Sequence, residues 1–154
     1  MIGVGEGNLP LFYMPEFDAN SLKHFRTLCP ELQEILFEAI QTISFRILEG
    51  HRDEASQNKA YAEGRSKLKW PNGNHNKFPS DAVDLIPAST QPGDTYSWKD
   101  VVAFGRLMGY IQAIADRSGV KLRFGLDWDG DWRTVGQDPD EKFLDAPHVE
   151  VVRK

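Results

Sequence analysis

From Asn20 the apolar positions recur every three or four residues: Leu22, Phe25, Leu28, then Leu32, Ile35, Leu36, Ala39, Ile40, Ile43 and Ile47. That is the period of an amphipathic helix. Pro30 falls inside the run, where its missing N–H and fixed φ suit the first turn of a second helix. The spacing therefore predicts two helices, the second continuing toward Ile47. A shorter helix is expected from Glu54 to about Glu63, with Asp53 as N-cap and Gly64 as the stop. Ser97 is expected to open a fourth, with Asp100 completing a capping-box variant. Its apolar stripe is Val101, Phe104, Met108, Ile111 and Ala115, and Gly119 ends it.

The period changes in three short stretches. "AVDLI" lies within a segment from Arg65 to Gly93 rich in Asn, Pro, Gly and Ser, and reads as a strand. "VKLRFGL" and "HVEVV" read likewise, separated by a polar loop holding Asp127, Asp129, Asp131, Asp138, Asp140 and Glu141. Helices first and strands in the second half predict an α+β fold rather than a wound βαβ architecture.

The 154 residues suit one domain with a real core, so a single domain spanning 1–154 is the expectation. Cys29 is the single cysteine, which excludes an internal disulfide and any multi-cysteine zinc site; it reads as a small buried apolar residue. A net charge of −5 argues against a nucleic-acid partner. Arg65, Lys67 and Lys69 in "GRSKLKW" form a local basic cluster, a solvated face that an anionic substrate would feel. No run approaches the roughly 18 apolar residues of a membrane span. "MIGVGEGNLPLFYMPEF" lacks the basic start and apolar core of a secretory signal. Neither stable membrane association nor Sec-type export is expected.

Asp84 stands in the middle of "AVDLIP", where an uncompensated carboxylate costs several kcal/mol. Alternation puts Val83 and Leu85 on the opposite face. In "HVEVV", His148 and Glu150 share one face and Val149 and Val151 the other. A core of Val83, Leu85, Val149 and Val151 would bring Asp84 and His148 to one side of a sheet, with His75 closing over from the preceding loop. One carboxylate and two imidazoles are a normal catalytic zinc set, leaving a fourth position for water. On spacing alone, a salt-bridged or backbone-satisfied aspartate with two unrelated surface histidines is the favoured reading. Asp145, three residues before His148, is either a turn residue or a carboxylate able to take a proton from water beside the cation.

At this point the chain resembles the zinc D-Ala-D-Ala carboxypeptidase and L-alanyl-D-glutamate endopeptidase family (VanY-like), particularly its small bacteriophage endolysins. The family shows S-x-H-x-x-G-x-A-x-D and, much later, an acidic residue three positions before a final His. Ala82-Val83-Asp84 matches A-x-D, His75 the first ligand, and "DAPHVE" the closing motif. "GHRDEASQNKAYAEGRSK" is similar to the family's Arg-bearing turn and following helix, and "GLDW" to a G-G-D-W element. The interval from His75 to Asp84 is two residues longer than in the common form, with Gly73 in place of the Ser and Ser80 in place of the Gly.

The resemblance implies N-terminal helices packed on a small antiparallel sheet carrying the metal, a hedgehog/DD-peptidase-like arrangement. It implies Zn2+ held by His75, Asp84 and His148, Asp145 as general base and then proton donor to the leaving amine, and Arg52 as oxyanion stabiliser. Glu150 would orient a ligand imidazole from the second layer. His24 and His51 are expected to be structural or solvent-facing. The implied activity is hydrolysis of the L-Ala–D-Glu amide of peptidoglycan stem peptides, with D-Ala-D-Ala carboxypeptidase action as the alternative. A non-catalytic wall-binding or virion module is the rival of another class. A monomeric endolysin that stays in the host cytoplasm until released, without a separate wall-binding domain, completes the expectation. Asp127, Asp129, Asp131 and Asp138 have calcium-loop spacing, but Trp132 occupies the glycine position, so a solvated acidic loop is the better reading.

Overall fold

The computed structural model describes residues 17–88, 99–133 and 145–153. Helix α1 spans Ala19–Phe25, capped by Asp18 through a 2.7 Å bond from the Ser21 N–H. Helix α2, Pro30–Ile40, begins at the proline as the sequence predicts, and α3 covers Glu54–Ala62 behind an Asp53 cap. Gly64 follows α3 with φ +77°, the left-handed geometry that stops a helix. Helix α4 runs Val101–Arg117 and is capped by Asp100 itself, which accepts from Ala103 N; Ser97 lies outside the described residues. Among the described residues no helix is long and apolar enough to cross a membrane.

Four strands form one antiparallel sheet: β1 (Phe45–Glu49), β2 (Ala82–Pro87), β3 (Leu122–Phe124) and β4 (His148–Val151), in the order β1-β2-β4-β3. The α+β expectation is borne out, with one correction. Ile47 does not extend α2 but sits fully buried in β1. A four-residue step from Ile43 to Ile47 fits helical spacing and strand alternation equally, and Phe45 and Ile47 alternate inward as strand residues do.

The core lies between the helices and one face of the sheet. Leu32, Ile35, Leu36, Phe104, Leu107, Ile111 and Ile114 pack with Val83, Leu85, Val149 and Val151. Cys29 is buried among them. Helix α4 lies against α2, β2 and β3, and α1 against β1. Asp84 on β2 and His148 and Glu150 on β4 alternate with the core residues of those strands and carry their polar groups on the other face, while Ile86 stays apolar and buried. The register shifts at Leu48, setting Glu49 opposite Asp84. Such a bulge re-aims a side chain where the ladder is interrupted.

Candidate metal centre

Asp84 on β2 and His148 on β4 are direct cross-strand partners. His75 arrives from the short 3-10 turn Asn74–Asn76. Its Nε2 lies 3.3 Å from Asp84 Oδ1, and His148 Nδ1 lies 3.4 Å from the same oxygen. The ligand atoms of all three residues fall within 4.8 Å of one another.

The outer nitrogens fix the tautomers. His75 Nδ1 is 2.7 Å from the Gly50 carbonyl oxygen, which only accepts, so that nitrogen carries the proton. His148 Nε2 donates in the same way to Glu150 Oε1 at 2.6 Å. In the neutral rings the lone pairs of His75 Nε2 and His148 Nδ1 therefore face Asp84 Oδ1. That oxygen is buried without a hydrogen-bond partner. Three acceptors converging on one point, one of them an orphaned carboxylate oxygen, fit a divalent cation.

The electrostatics agree. Burial opposes ionisation of Asp84, yet the two histidines hold its carboxyl far below the usual range. Burial likewise disfavours a charged His148, but the carboxylates of Asp84 and Glu150 outweigh this and push it up to about 9. The pair of carboxylates thus demands positive charge between them. Glu150 is 4% exposed and is held at about 2, against burial, by His148, Asn74 and Arg123. Asn74 Nδ2 donates to Glu150 Oε2 at 2.8 Å and Arg123 Nη2 at 2.7 Å.

Asp145 brings Oδ2 to 4.0 Å from His148 Nδ1, the nitrogen that faces Asp84. Burial and the charge on Asp84 raise its pKa. Its backbone is clamped: Asp145 N–H donates to Gly125 O, Gly125 N–H to His148 O and His148 N–H to Asp145 O. A Cβ on Gly125 would fall on the Asp145 carbonyl oxygen, which accounts for the glycine in "GLDW".

Arg52 completes the group. Its guanidinium is bonded by both oxygens of Glu49 at 2.8 Å and by Gln57 Oε1 at 3.0 Å, and Nη2 stands 3.8 Å from Asp84 Oδ2. Burial works against its charge, but Glu49, Asp84 and Asp145 raise its pKa. Gln57, fully buried, also accepts from Asn76 and donates to Ser66 Oγ and Leu68 O. The Ser66–Leu68 segment is thereby fixed as one rim of a cleft of about 710 Å³ opening over the centre. Arg65 and Lys67 line that rim; Lys69 stands apart, over the Tyr61 ring.

The structure thus brings His75, Asp84, His148, Asp145, Arg52 and Glu150 together. His51 lies outside, edge-on to Phe78, and His24 accepts from Gly50 N–H. Sequence reasoning assigned no role to Glu49, Gln57, Asn74, Asn76 or Arg123. The i,i+3 pair Glu49–Arg52 was a signal, as was Arg123 flanked by apolar Leu122 and Phe124, directly across from Glu150. Asp127, Asp129 and Asp131 also gather, with their side chains accepting from backbone N–H groups of their own turn. Trp132 takes a φ of 70°, the left-handed geometry a glycine there would have. Asp138, Asp140 and Glu141 lie outside the described residues.

The family model for phage L-alanyl-D-glutamate peptidase matches residues 14–152. The L-alanyl-D-glutamate peptidase of Escherichia phage T5 is 32% identical over 141 residues, covering 89% of this chain and 98% of the relative. In fold the chain is similar to the crystal structure of the Serratia marcescens L-Ala D-Glu endopeptidase ChiX. That likeness has a TM-score of 0.67 at 22% identity, over 94% of this chain and 96% of that one.

Proposed function

The chain belongs to the phage L-alanyl-D-glutamate peptidase family, and from that premise we propose that it is a zinc-dependent peptidoglycan endopeptidase cutting the L-Ala–D-Glu amide of the stem peptide. The observation that carries the zinc is Asp84 Oδ1, buried and unpartnered, facing the lone pairs of His75 Nε2 and His148 Nδ1.

Zinc held by His75, Asp84 and His148 would polarise the scissile carbonyl and lower the pKa of water toward neutrality. Asp145 takes the proton from the attacking water and returns it to the amine nitrogen as the C–N bond breaks. Its raised pKa suits a group that must both accept and release a proton. Arg52 donates to the carbonyl oxygen as negative charge grows there. Glu49 and Gln57 engage three of its five N–H groups and hold the guanidinium still for this. Glu150 keeps the His148 ring in the ligating tautomer. The products are a carboxylate on L-Ala and a free amine on D-Glu.

This reading takes the chain as a single monomeric peptidase domain that binds stem peptides directly and stays in the host cytoplasm until lysis. A wall-binding module without activity has no use for Asp145 beside the ligand set. Mass spectrometry of digested muropeptides tests the proposal. New N-terminal D-Glu, suppressed by a chelator and restored by zinc, is expected. Lost D-Ala would make the enzyme a carboxypeptidase, and no product at all would leave the binding module.

A further inference from the structure

A second concavity, of about 230 Å³, lies between β3 and the turn from Asp127 to Trp132. Gln112, Lys121, Asp129 and Trp132 line it, and Arg123 and Trp128 line both it and the larger cleft. The two spaces therefore meet at one wall. There Trp128 packs against the His148 ring at 5.3 Å, and the Arg123 guanidinium lies 5.5 Å from the Trp128 ring centre.

Trp132 is 76% exposed. A large indole left in water does nothing for the core, and its backbone is fixed by an N–H bond to Asp127 Oδ2 at 2.9 Å. The turn thus presents a flat apolar surface at the mouth of a concavity whose walls mix apolar Leu122, Phe124 and Val152 with the polar groups of Gln112, Lys121 and Asp129. An apolar platform beside polar donors and acceptors matches a pyranose ring, with one C–H face and a girdle of hydroxyls.

We propose that this concavity is a saccharide subsite that holds an N-acetylated amino sugar of the glycan strand beside the catalytic cleft. The inference rests on the peptidoglycan reading above, in which the stem peptide hangs from such a sugar. The ring lies against Trp132, its hydroxyl and acetamido groups meet Asp129, Gln112 and Lys121, and the peptide passes the Trp128–Arg123 wall toward His148.

Two measurements on the full chain test this. In the first, the N-acetylglucosamine trimer is titrated into the protein with tryptophan fluorescence as readout. Saturable binding is expected, weakened about tenfold in Trp132→Ala and less in Trp132→Phe. No saturable change at millimolar trimer, or equal binding by Trp132→Ala, overturns the proposal. This titration needs no peptidase activity, so it decides the subsite even if the chain cuts no stem peptide. In the second, kcat/KM is compared between a disaccharide-bearing muropeptide and the sugar-free peptide. Trp132→Ala is expected to reduce that preference about tenfold, and an unchanged ratio contradicts the subsite.

Discussion

Asp84 and His148 face each other across the β2–β4 pair, with Asp84 Oδ1 3.4 Å from His148 Nδ1 and no hydrogen bond to satisfy it. A cation that binds only the folded chain relieves this arrangement and stabilises the fold. Zinc at one hundred times its Kd contributes about 2.7 kcal/mol, or roughly 5–10 °C in Tm for a chain of this size. Chelation is expected to lower Tm by that amount in the parent and leave the Tm of His148→Ala unmoved. Equal responses in the two would take His148 out of the ligand set.

Glu150 accepts from His148, Asn74 and Arg123 while buried in the sheet. Replacing it by Gln keeps the shape but removes the charge that secures the Nε2 proton. Zinc affinity of Glu150→Gln is expected to fall about 10- to 100-fold, and that of Arg123→Ala by less, since its side chain is half exposed. Competition titration against a chromophoric chelator reads both constants, and an unaltered Glu150→Gln affinity contradicts the role.

Gly125→Ala probes the proposed general base, Asp145, through its backbone while leaving its carboxylate in place. The new Cβ must displace the Asp145 carbonyl, and shifts of about 1 Å at such a group cost on the order of 10² in rate. Hydrolysis is expected to drop by at least tenfold at full zinc occupancy. Wild-type rates in this variant would show that the clamp on Asp145 is not needed.

Much of this arrangement is legible in the sequence. Pro30 marks the start of α2, Asp53 and Gly64 bracket α3, and alternation in "AVDLI" and "HVEVV" puts Asp84, His148 and Glu150 on one face. Strand β1 is hidden because an i,i+4 repeat is shared by helix and strand, and its misreading also hides Glu49, which grips Arg52. Gln57 is invisible for another reason. Only Gln57 and Ala60 of α3 are buried, so no apolar stripe marks the face on which the glutamine sits. What links Arg52, Asn76 and the cleft rim is hydrogen bonding, which leaves no period in the chain.

Gln57 has all its hydrogen-bonding capacity used inside the fold. Its truncation to Ala leaves Arg52 and Asn76 short of partners, which costs about 2–3 kcal/mol. Urea unfolding of Gln57→Ala reads the loss, and a midpoint equal to the parent's contradicts the hub.

Arg153 ties the last described residues to α2 and to the approach of β2, bonding Glu31 at 2.7 Å and Asp81 at 2.9 Å. The Arg153 bonds hold Glu31 at about 2. Burial raises the pKa of Asp81, but Arg153 and Lys77 lower it further than burial raises it. Carboxyls depressed in the folded state stabilise it above their unfolded pKa of about 4, and that gain disappears as pH falls toward 2. With Arg153 partly exposed, Arg153→Ala is expected to lose roughly 1–2 kcal/mol at pH 7. The difference from the parent should shrink below pH 4, and a constant gap across that range would exclude the ion pairs as its source.

In the proposed mechanism Asp145 moves the proton while His75, Asp84 and His148 hold the zinc. Zinc content and muropeptide hydrolysis measured on the same preparation of Asp145→Ala test it most directly. About one zinc per chain with hydrolysis reduced on the order of 10² or more is the predicted result. Full zinc occupancy with hydrolysis as fast as the parent's would contradict the account.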